Sequence, residues 1–196
     1  MPEAVHIPLS TQPVMPWANG GGTTRQIAID PPTGSLATGF RWRVSTAQVA
    51  RDGPFSRLPG VNRSMWLLRG AGMRLDVGGR EVRLDRPLQR FDFAGEVHVV
   101  AHLIDGPVAD LNVMVARDQV RADAALRAFA QGAAIDVQAG APALLWLLDG
   151  RLATPGGAVA SGGDAFRLDG SEPLVLRAEA AGRLLVVRFS GIGARP

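Results

Sequence analysis

The chain has 196 residues, 46% hydrophobic and 20% charged, a composition typical of a globular protein with one large domain or two small ones. It contains no cysteine, which excludes disulfides and cysteine-ligated metal or iron–sulfur sites. The net charge is only +3, and the basic residues are all arginines spread among acidic ones, so nucleic-acid binding is not expected. The sequence shows neither a membrane-spanning segment nor a secretory signal. We therefore expect a cytoplasmic protein that does not bind membranes.

The first motif along the chain is a run of three glycines at 20–22, inside the segment W-A-N-G-G-G-T-T-R that starts at Trp17. Glycine loses the most conformational freedom on folding, so such a run is typical of a positive φ or of a close approach to the backbone. The lysine and hydroxyl residue of a phosphate loop do not follow it, and the pattern G-x-G-x-x-G is absent. The run predicts a shaped loop, which is either a tight turn or part of a binding site.

Glycine and proline then punctuate the chain at intervals of about eight to twelve residues, a pattern that favours an all-β sandwich or barrel. The predicted strands are 24–29, 40–49, 63–68, 73–77, 80–84, 89–93, 97–104, 111–116, 143–148, 164–168, 174–178 and 184–189. Gly78 and Gly79 predict a two-residue hairpin turn. Residues 120–130 are rich in alanine and fit either a helix or a strand.

Two segments of the chain resemble each other. Trp66 and Trp146 each lie in an apolar run with the sequence Trp-Leu-Leu that ends at a charged residue and a glycine. The spacing of about 80 residues predicts two similar β halves rather than a solenoid. Chance similarity between two β runs is the alternative.

Strand alternation indicates which side chains share a face. In the segment 40–49, one face carries Arg41, Arg43, Ser45 and Ala47. In the segment 110–116, one face carries Asp110, Asn112 and Met114, and the opposite face carries Leu111, Val113 and Val115. The purely apolar face is expected to pack into a core, so the polar face meets either solvent or a cavity.

The histidines do not predict a metal site. His98 and His102 lie four residues apart on a predicted strand, about 13 Å from each other, too far to share one ion without a bulge. His6 is isolated near the start of the chain. The chain also lacks a G-x-S-x-G nucleophile motif, so we expect no metal, no cofactor and no catalytic nucleophile.

Six motifs together resemble the HutD/Ves family of bacterial proteins. They occur in the family's order across roughly residues 15 to 116. In sequence they are Trp17-Ala-Asn19-Gly-Gly-Gly22-Thr-Thr24, Phe40-Arg-Trp42-Arg43-Val-Ser45-Thr-Ala47, Gly53-Pro-Phe55-Ser56, Pro59-Gly-Val-Asn-Arg63, Phe91-Asp-Phe93-Ala-Gly95 and Asp110-Leu-Asn112-Val-Met114.

This resemblance implies an all-β, cupin-type (RmlC-like) antiparallel β-barrel with two cupin-like halves, 1–118 and 119–196, which form one compact bicupin unit. It also implies that residues 120–130 belong to the strand structure. The HutD branch is associated with bacterial histidine utilisation and with binding a pathway intermediate such as N-formylglutamate, and the Ves branch is linked to cold stress. The usual cupin metal ligands are missing from this chain.

The resemblance and the strand faces together give the first hypothesis, a metal-independent bicupin that binds a small acidic metabolite and has a regulatory role. Arg43 would clamp a ligand carboxylate, because a guanidinium can donate two parallel hydrogen bonds to it. The predicted ligand-binding residues are Trp17, Asn19, Thr24, Arg43, Ser45, Arg63 and Asn112. The competing interpretation is that Arg43 and Arg63 pair with Asp110 and other carboxylates to hold the fold together.

Two further hypotheses belong to other classes. An isomerase or hydrolase acting on a small polar substrate would need a group suited to proton transfer, for which Asp110 and His98 are the candidates. A stress-related interaction protein or dimeric scaffold is the third, and a homodimer is open under each. The position of Asp110 and His98 relative to Arg43 distinguishes the enzyme from the binding protein.

Overall fold

In the computed structural model, residues 4–192 are described, and they form two compact units. One unit comprises residues 13–120, and the other comprises residues 4–12 together with 121–192. The only helix among the described residues is the three-residue 3-10 turn Leu9–Thr11, and no described helix has the length and apolar character to cross a bilayer. The all-β prediction is therefore confirmed.

The unit of residues 13–120 contains two antiparallel sheets. Its strands are β2 (Val14–Pro16), β3 (Gly22–Asp30), β4 (Trp42–Val49), β5 (Gly53–Pro54), β6 (Val61–Arg69), β7 (Met73–Val77), β8 (Arg80–Leu84), β9 (Arg90–Ala94), β10 (Val99–Leu103) and β11 (Val108–Ala116). A six-stranded sheet has the order β2-β3-β4-β11-β6-β9, and a four-stranded sheet has the order β5-β10-β7-β8. The hairpin predicted at Gly78 and Gly79 is present, with both glycines at positive φ.

The other unit is built on one seven-stranded sheet. Its strands are β1 (Val5–Ile7), β12 (Val120–Phe129), β13 (Ala134–Val137), β14 (Ala143–Ala153), β15 (Val159–Ser161), β16 (Ala165–Leu168) and β17 (Leu174–Gly191). The main order is β1-β16-β14-β17-β12, with β13 paired to β17 and β15 paired to β14. The order of this sheet branches at β14 and at β17, no sheet closes on itself, and the closed barrel that the resemblance implied is not found in residues 4–192.

Two strand predictions change in this second unit. Residues 174–178 and 184–189 belong to the single strand β17, and register shifts mark its pairing with β14. A Cβ at Gly182 would lie 2.1 Å from the backbone oxygen of Asp149, so this glycine permits a close approach rather than ending a strand. Residues 120–129 form β12, as the family resemblance implied and against the helical tendency of alanine.

The same order of four strands occurs in both units. In the first unit it is β4-β11-β6-β9, and in the second it is β12-β17-β14-β16. In each case the strands follow one another along the chain in the positions first, fourth, second and third. Trp66 lies on β6 and Trp146 on β14, the corresponding strands, so the sequence similarity around the two tryptophans coincides with a similarity of topology.

Each unit has an apolar core of its own. In residues 13–120 the core contains Met65, Leu67, Met73, Leu75 and Leu84, all nearly inaccessible to solvent. In the second unit it contains Leu145, Leu147, Leu152, Leu176 and Leu184. Each core packs against the sheets of its own unit. In residues 13–120, the polar residues Arg43 and Ser45 of β4, Arg63 of β6, and Asp110 and Asn112 of β11 line a cavity.

Candidate functional site

A cavity of about 430 Å³ lies within the unit of residues 13–120. Its wall is formed by the cavity-facing sides of β3, β4, β6 and β11, together with loop residues. All seven residues predicted to bind a ligand line this one cavity: Trp17, Asn19, Thr24, Arg43, Ser45, Arg63 and Asn112. That they bind a ligand stays a prediction.

The alternation of β4 and β11 brings the polar residues together. The two strands are antiparallel neighbours, with Asn112 opposite Ser45 and Met114 opposite Arg43. Because side chains opposite each other in a ladder lie on the same face, the predicted polar faces of both strands meet in the cavity wall. All of β11 is buried, so its polar face meets the cavity rather than bulk solvent. Arg41, predicted on the same face, precedes β4 and is exposed.

Arg43 is a buried cation that the protein leaves largely without partners. Its side chain is only 4% exposed, and burial lowers its pKa from the ordinary value. Its Nε donates a hydrogen bond of 2.9 Å to Oε1 of Gln26. A guanidinium has five N–H donors, and no described residue accepts a hydrogen bond from the terminal nitrogens of Arg43. These nitrogens are available to an anion in the cavity.

Arg63 is better surrounded. Its Nη2 donates to Oδ1 of Asn112 at 2.9 Å, and its guanidinium carbon lies 4.8 Å from the ring centre of Phe93 and 5.5 Å from that of Phe55. Nε is buried without a hydrogen-bond partner. Burial lowers the pKa of Arg63 to about 10; Asp110 opposes this shift and the positive charge of Arg43 adds to it. The two cations therefore repel each other, which favours an anion between them.

Asp110 is the acidic group of the same cavity. It is 2% exposed and accepts a hydrogen bond from Nδ2 of Asn112. Burial raises its pKa to about 7, although the charge of Arg63 and the hydrogen bond from Asn112 act in the opposite direction. Asn112 thus connects Arg63 to Asp110 through its two side-chain atoms. The structural alternative, a direct pairing of both arginines with carboxylates, does not describe Arg43, whose side chain donates to the amide of Gln26.

The glycine run lies between Asn19 and Thr24, which both line the cavity. Gly20 has a φ of +66°, and a Cβ at Gly22 would lie 2.2 Å from the backbone oxygen of Gln48. The run therefore contains both features that were expected of it, a residue with positive φ and a close approach to the backbone. Asn19 caps the turn by accepting a hydrogen bond from the Gly21 backbone, and Nε1 of Trp17 donates to Oγ1 of Thr24 at 2.8 Å.

Sequence reasoning missed several residues of the site. The apolar part of the wall includes Met15, Leu36, Phe55, Leu58 and Met114. Phe55 and Met114 belong to motifs that carried the family resemblance, so the signal for them was present. Gln26 gave no signal, because its contact with Arg43 depends on the register of β3 against β4, which sets Gln26 opposite Ser45 and diagonal to Arg43. Asp110 was considered only as a structural partner or proton-transfer group.

The histidines lie outside the cavity. His98 is exposed, His102 contacts Asp52, and His6 contacts Asp164 in the other unit. Within residues 4–192, no three His, Cys, Asp or Glu side chains are grouped so that they could hold a metal ion. Of the two candidates for proton transfer, Asp110 shares the cavity with Arg43 and His98 does not.

Three solved structures are similar to the chain. A conserved protein of unknown function from Pseudomonas aeruginosa PAO1 has a TM-score of 0.84 and 29% identity, over 96% of this chain and all of that one. HutD from Pseudomonas fluorescens SBW25, in a structure described as a formate condition, has a TM-score of 0.77 and 28% identity, over 96% of this chain and 98% of that one. A cupin 2 conserved barrel domain protein from Leptotrichia buccalis shares the fold, with a TM-score of 0.58 and 12% identity over 91% of this chain and 89% of that one.

Similarity in sequence agrees with this similarity in structure. An uncharacterised 21.2 kDa protein in the hutC 3' region of Pseudomonas putida is 41% identical over 110 residues, 56% of this chain and 57% of that protein, so the match spans little more than half of that relative. Protein Ves from Cronobacter sakazakii is 39% identical over 150 residues, 73% of this chain and 78% of that protein. The HutD family profile matches residues 9–188. The chain therefore belongs to the HutD family.

Proposed function

We propose that this protein binds a small carboxylate in the cavity of residues 13–120, without a metal, and acts as a regulator in bacterial histidine utilisation. The observation that carries the proposal is Arg43, a buried guanidinium whose terminal nitrogens face the cavity without a protein acceptor. An unpaired charge removed from water is very costly, so an anionic partner is expected. N-formylglutamate is our candidate ligand, and formate, named for the related P. fluorescens structure, is the smallest carboxylate probe.

The roles of the lining residues follow from their chemistry. Arg43 would donate paired hydrogen bonds to the ligand carboxylate, with Arg63 as a second cation. Ser45 is buried, and its hydroxyl makes no hydrogen bond within the described part of the chain, so it would serve as a further donor. Trp17, Asn19, Thr24 and Asn112 would complete the polar and stacking contacts.

The test compares Arg43→Met with wild type by calorimetric titration with N-formylglutamate and with formate. Methionine has about the length of arginine without its charge, so the variant should fold and should lose about 2–3 kcal/mol of binding free energy, roughly 30- to 150-fold in affinity. Arg51→Met is the matched control, because Arg51 is exposed and outside the cavity. Equal affinity in wild type and Arg43→Met would contradict the proposal.

Metal independence is tested separately. Elemental analysis of the purified protein should find no transition metal near one per chain, and a chelator should change neither the melting temperature nor the affinity for the carboxylate. About one zinc, iron or manganese per chain would overturn this part.

The regulatory role is supported by the names of two relatives, a protein from the hutC 3' region and HutD itself. A strain lacking the gene should show altered growth on histidine. Wild type should restore normal growth and Arg43→Met should not. Restoration by Arg43→Met would separate the regulatory role from the cavity.

We also propose that the two units are cupin-like halves. The support is the repeated strand order, β4-β11-β6-β9 and β12-β17-β14-β16, with Trp66 and Trp146 on corresponding strands. An experimental structure should allow these two four-strand sets to superpose, with the tryptophans coincident. Sets that superpose only in another register would contradict the repeat.

An enzyme is the second candidate, because Asp110 lies in the cavity with a pKa raised to about 7 by burial, near the range suited to proton transfer. Incubation of the protein with N-formylglutamate, followed by NMR, should then show a product that Asp110→Asn does not form. An unchanged spectrum would contradict the enzyme hypothesis and leave only the binding protein.

A further inference from the structure

Asp110 has no role in the proposed carboxylate contact, yet it forms part of the cavity wall. On the neighbouring strands it stands opposite Ala47 and Leu67, so neither β4 nor β6 places a cation directly across from it. Its one hydrogen bond within the described residues comes from Asn112. A carboxylate with a single amide donor is poorly compensated for its burial.

The surroundings of Asp110 contain few charges. The titratable side chains that line the cavity are Arg43 on β4, Arg63 on β6 and Asp110 itself on β11. β3 contributes Thr24 to the lining, and the loop residues of the lining are uncharged. Arg63 reaches Asp110 through Asn112, whose Oδ1 accepts from Arg63 while its Nδ2 donates to Asp110. The cavity therefore carries two cations and one carboxylate.

A bound carboxylate would change this balance. It would add one negative charge if it is a monocarboxylate such as formate, or two if it is N-formylglutamate, and it would compete with Asp110 for the positive charge of Arg63. Two carboxylates that share a site do not both stay ionised, because one of them gains affinity for a proton. The ligand carboxylate is stabilised by the guanidinium of Arg43, whereas Asp110 has a single hydrogen-bond donor. Asp110 is therefore the carboxylate that takes up the proton.

We propose that the cavity takes up its carboxylate ligand together with one proton, which is held by Asp110 in the complex. This inference rests on the proposed function, since it requires a carboxylate in the cavity. Neutral Asp110 keeps its hydrogen bond from Asn112 through the carbonyl oxygen. With Asp110 neutral, the two cations face one negative charge from a monocarboxylate such as formate, or two from N-formylglutamate, and Asp110 adds no further one.

The consequence is an affinity that depends on pH in one direction. The free Asp110 carboxyl titrates at a pKa of about 7, raised by burial. Below that value Asp110 is already protonated, so binding needs no further proton and the affinity is constant. Above it the proton must come from solution, so the affinity falls with rising pH, by up to about tenfold per pH unit.

The experiment is calorimetric titration of the full chain with N-formylglutamate at about pH 8, where the ligand carboxyls are fully ionised. It is repeated in triethanolamine, imidazole and Tris, cationic buffers that differ in ionisation enthalpy and do not compete as anions. The observed enthalpy should vary with the buffer and give an uptake approaching one proton per ligand. Asp110→Asn, which preserves the amide contact, should bind without proton uptake and without the decline of affinity at high pH. Asp105→Asn, at an exposed site outside the cavity, should behave as wild type.

Each outcome decides a different point. Binding with no proton uptake and with a constant affinity between about pH 6 and pH 8 overturns this inference and leaves the proposed function intact. Uptake that persists in Asp110→Asn also overturns it, because another group then takes the proton. Absence of binding at every pH contradicts the proposed function itself. If Asp110→Asn does not fold, the pH profile and buffer dependence of the wild type still decide.

Discussion

Gln26 accepts a hydrogen bond from Nε of Arg43 at 2.9 Å and so fixes the inner edge of the guanidinium. The two residues lie on neighbouring strands, β3 and β4, but are not directly opposite: Gln26 faces Ser45, and Ile29 faces Arg43. Gln26 pairs with Ser45, and Arg43 lies two residues further along β4 on the same face, so Gln26 is the diagonal neighbour of Arg43. The remaining donors of Arg43 are thereby left for the cavity.

Replacing Gln26 with alanine should weaken carboxylate binding without removing a cavity-lining residue. The loss of one charge-assisted hydrogen bond frees the arginine to adopt other rotamers, and we expect a cost of about 1–2 kcal/mol, roughly 5- to 30-fold in affinity. Titration with N-formylglutamate measures it. Gln48→Ala is the control, because Gln48 is exposed on β4 and outside the cavity. If both variants bind as wild type does, Gln26 does not position Arg43.

The regular part of the cavity could be predicted because a strand has a period of two. Once residues 40–49 were identified as a strand, Arg43 and Ser45 had to share a face, and the same holds for Asp110 and Asn112 on β11. The hairpin at Gly78 was equally local, since a two-residue turn requires positive φ. These features depend only on residues adjacent in the sequence.

Features that depend on distant contacts could not be predicted. The pairing of β1 with β16 joins residues more than 150 positions apart, and no local pattern indicates it. The sequence predicts two strands, 174–178 and 184–189, whereas the structure has the single strand β17, in which Gly182 lies where the backbone passes Asp149. The burial of Asp110 was hidden for the same reason, because alternation gives its face but not what the face meets.

Gly22→Ala should destabilise the protein where β3 passes close to β4. The new Cβ would lie 2.2 Å from the backbone oxygen of Gln48 and 3.2 Å from the ring of Trp17, so β3 and β4 would have to move apart. Overpacking against backbone costs about 1–3 kcal/mol, and the displaced Trp17 should reduce ligand affinity as well. Denaturant unfolding measures the first effect.

Gly53→Ala provides the comparison for Gly22→Ala. Gly53 lies in the same unit, and a Cβ there meets nothing within 4 Å. We expect a change in the free energy of unfolding within about 0.5 kcal/mol, as for surface substitutions. Similar effects of the two substitutions would mean that the close approach at Gly22 is not needed for stability.

The stability of the ligand-free protein should depend on pH through Asp110. Burial raises the pKa of its carboxyl from 3.8 to about 7, so between these values the folded state binds more protons than the unfolded state. The free energy of unfolding therefore falls as pH rises through this window, with a slope of at most about 1.4 kcal/mol per pH unit from this one group. Asp110→Asn removes this contribution to the pH dependence, so the melting temperature of the variant should decline less than that of wild type between about pH 5 and pH 8. Asp105→Asn should follow the wild-type curve, because Asp105 is exposed. Parallel curves for wild type and Asp110→Asn would show that the buried carboxyl titrates at an ordinary value, and would also remove the basis for its uptake of a proton with the ligand.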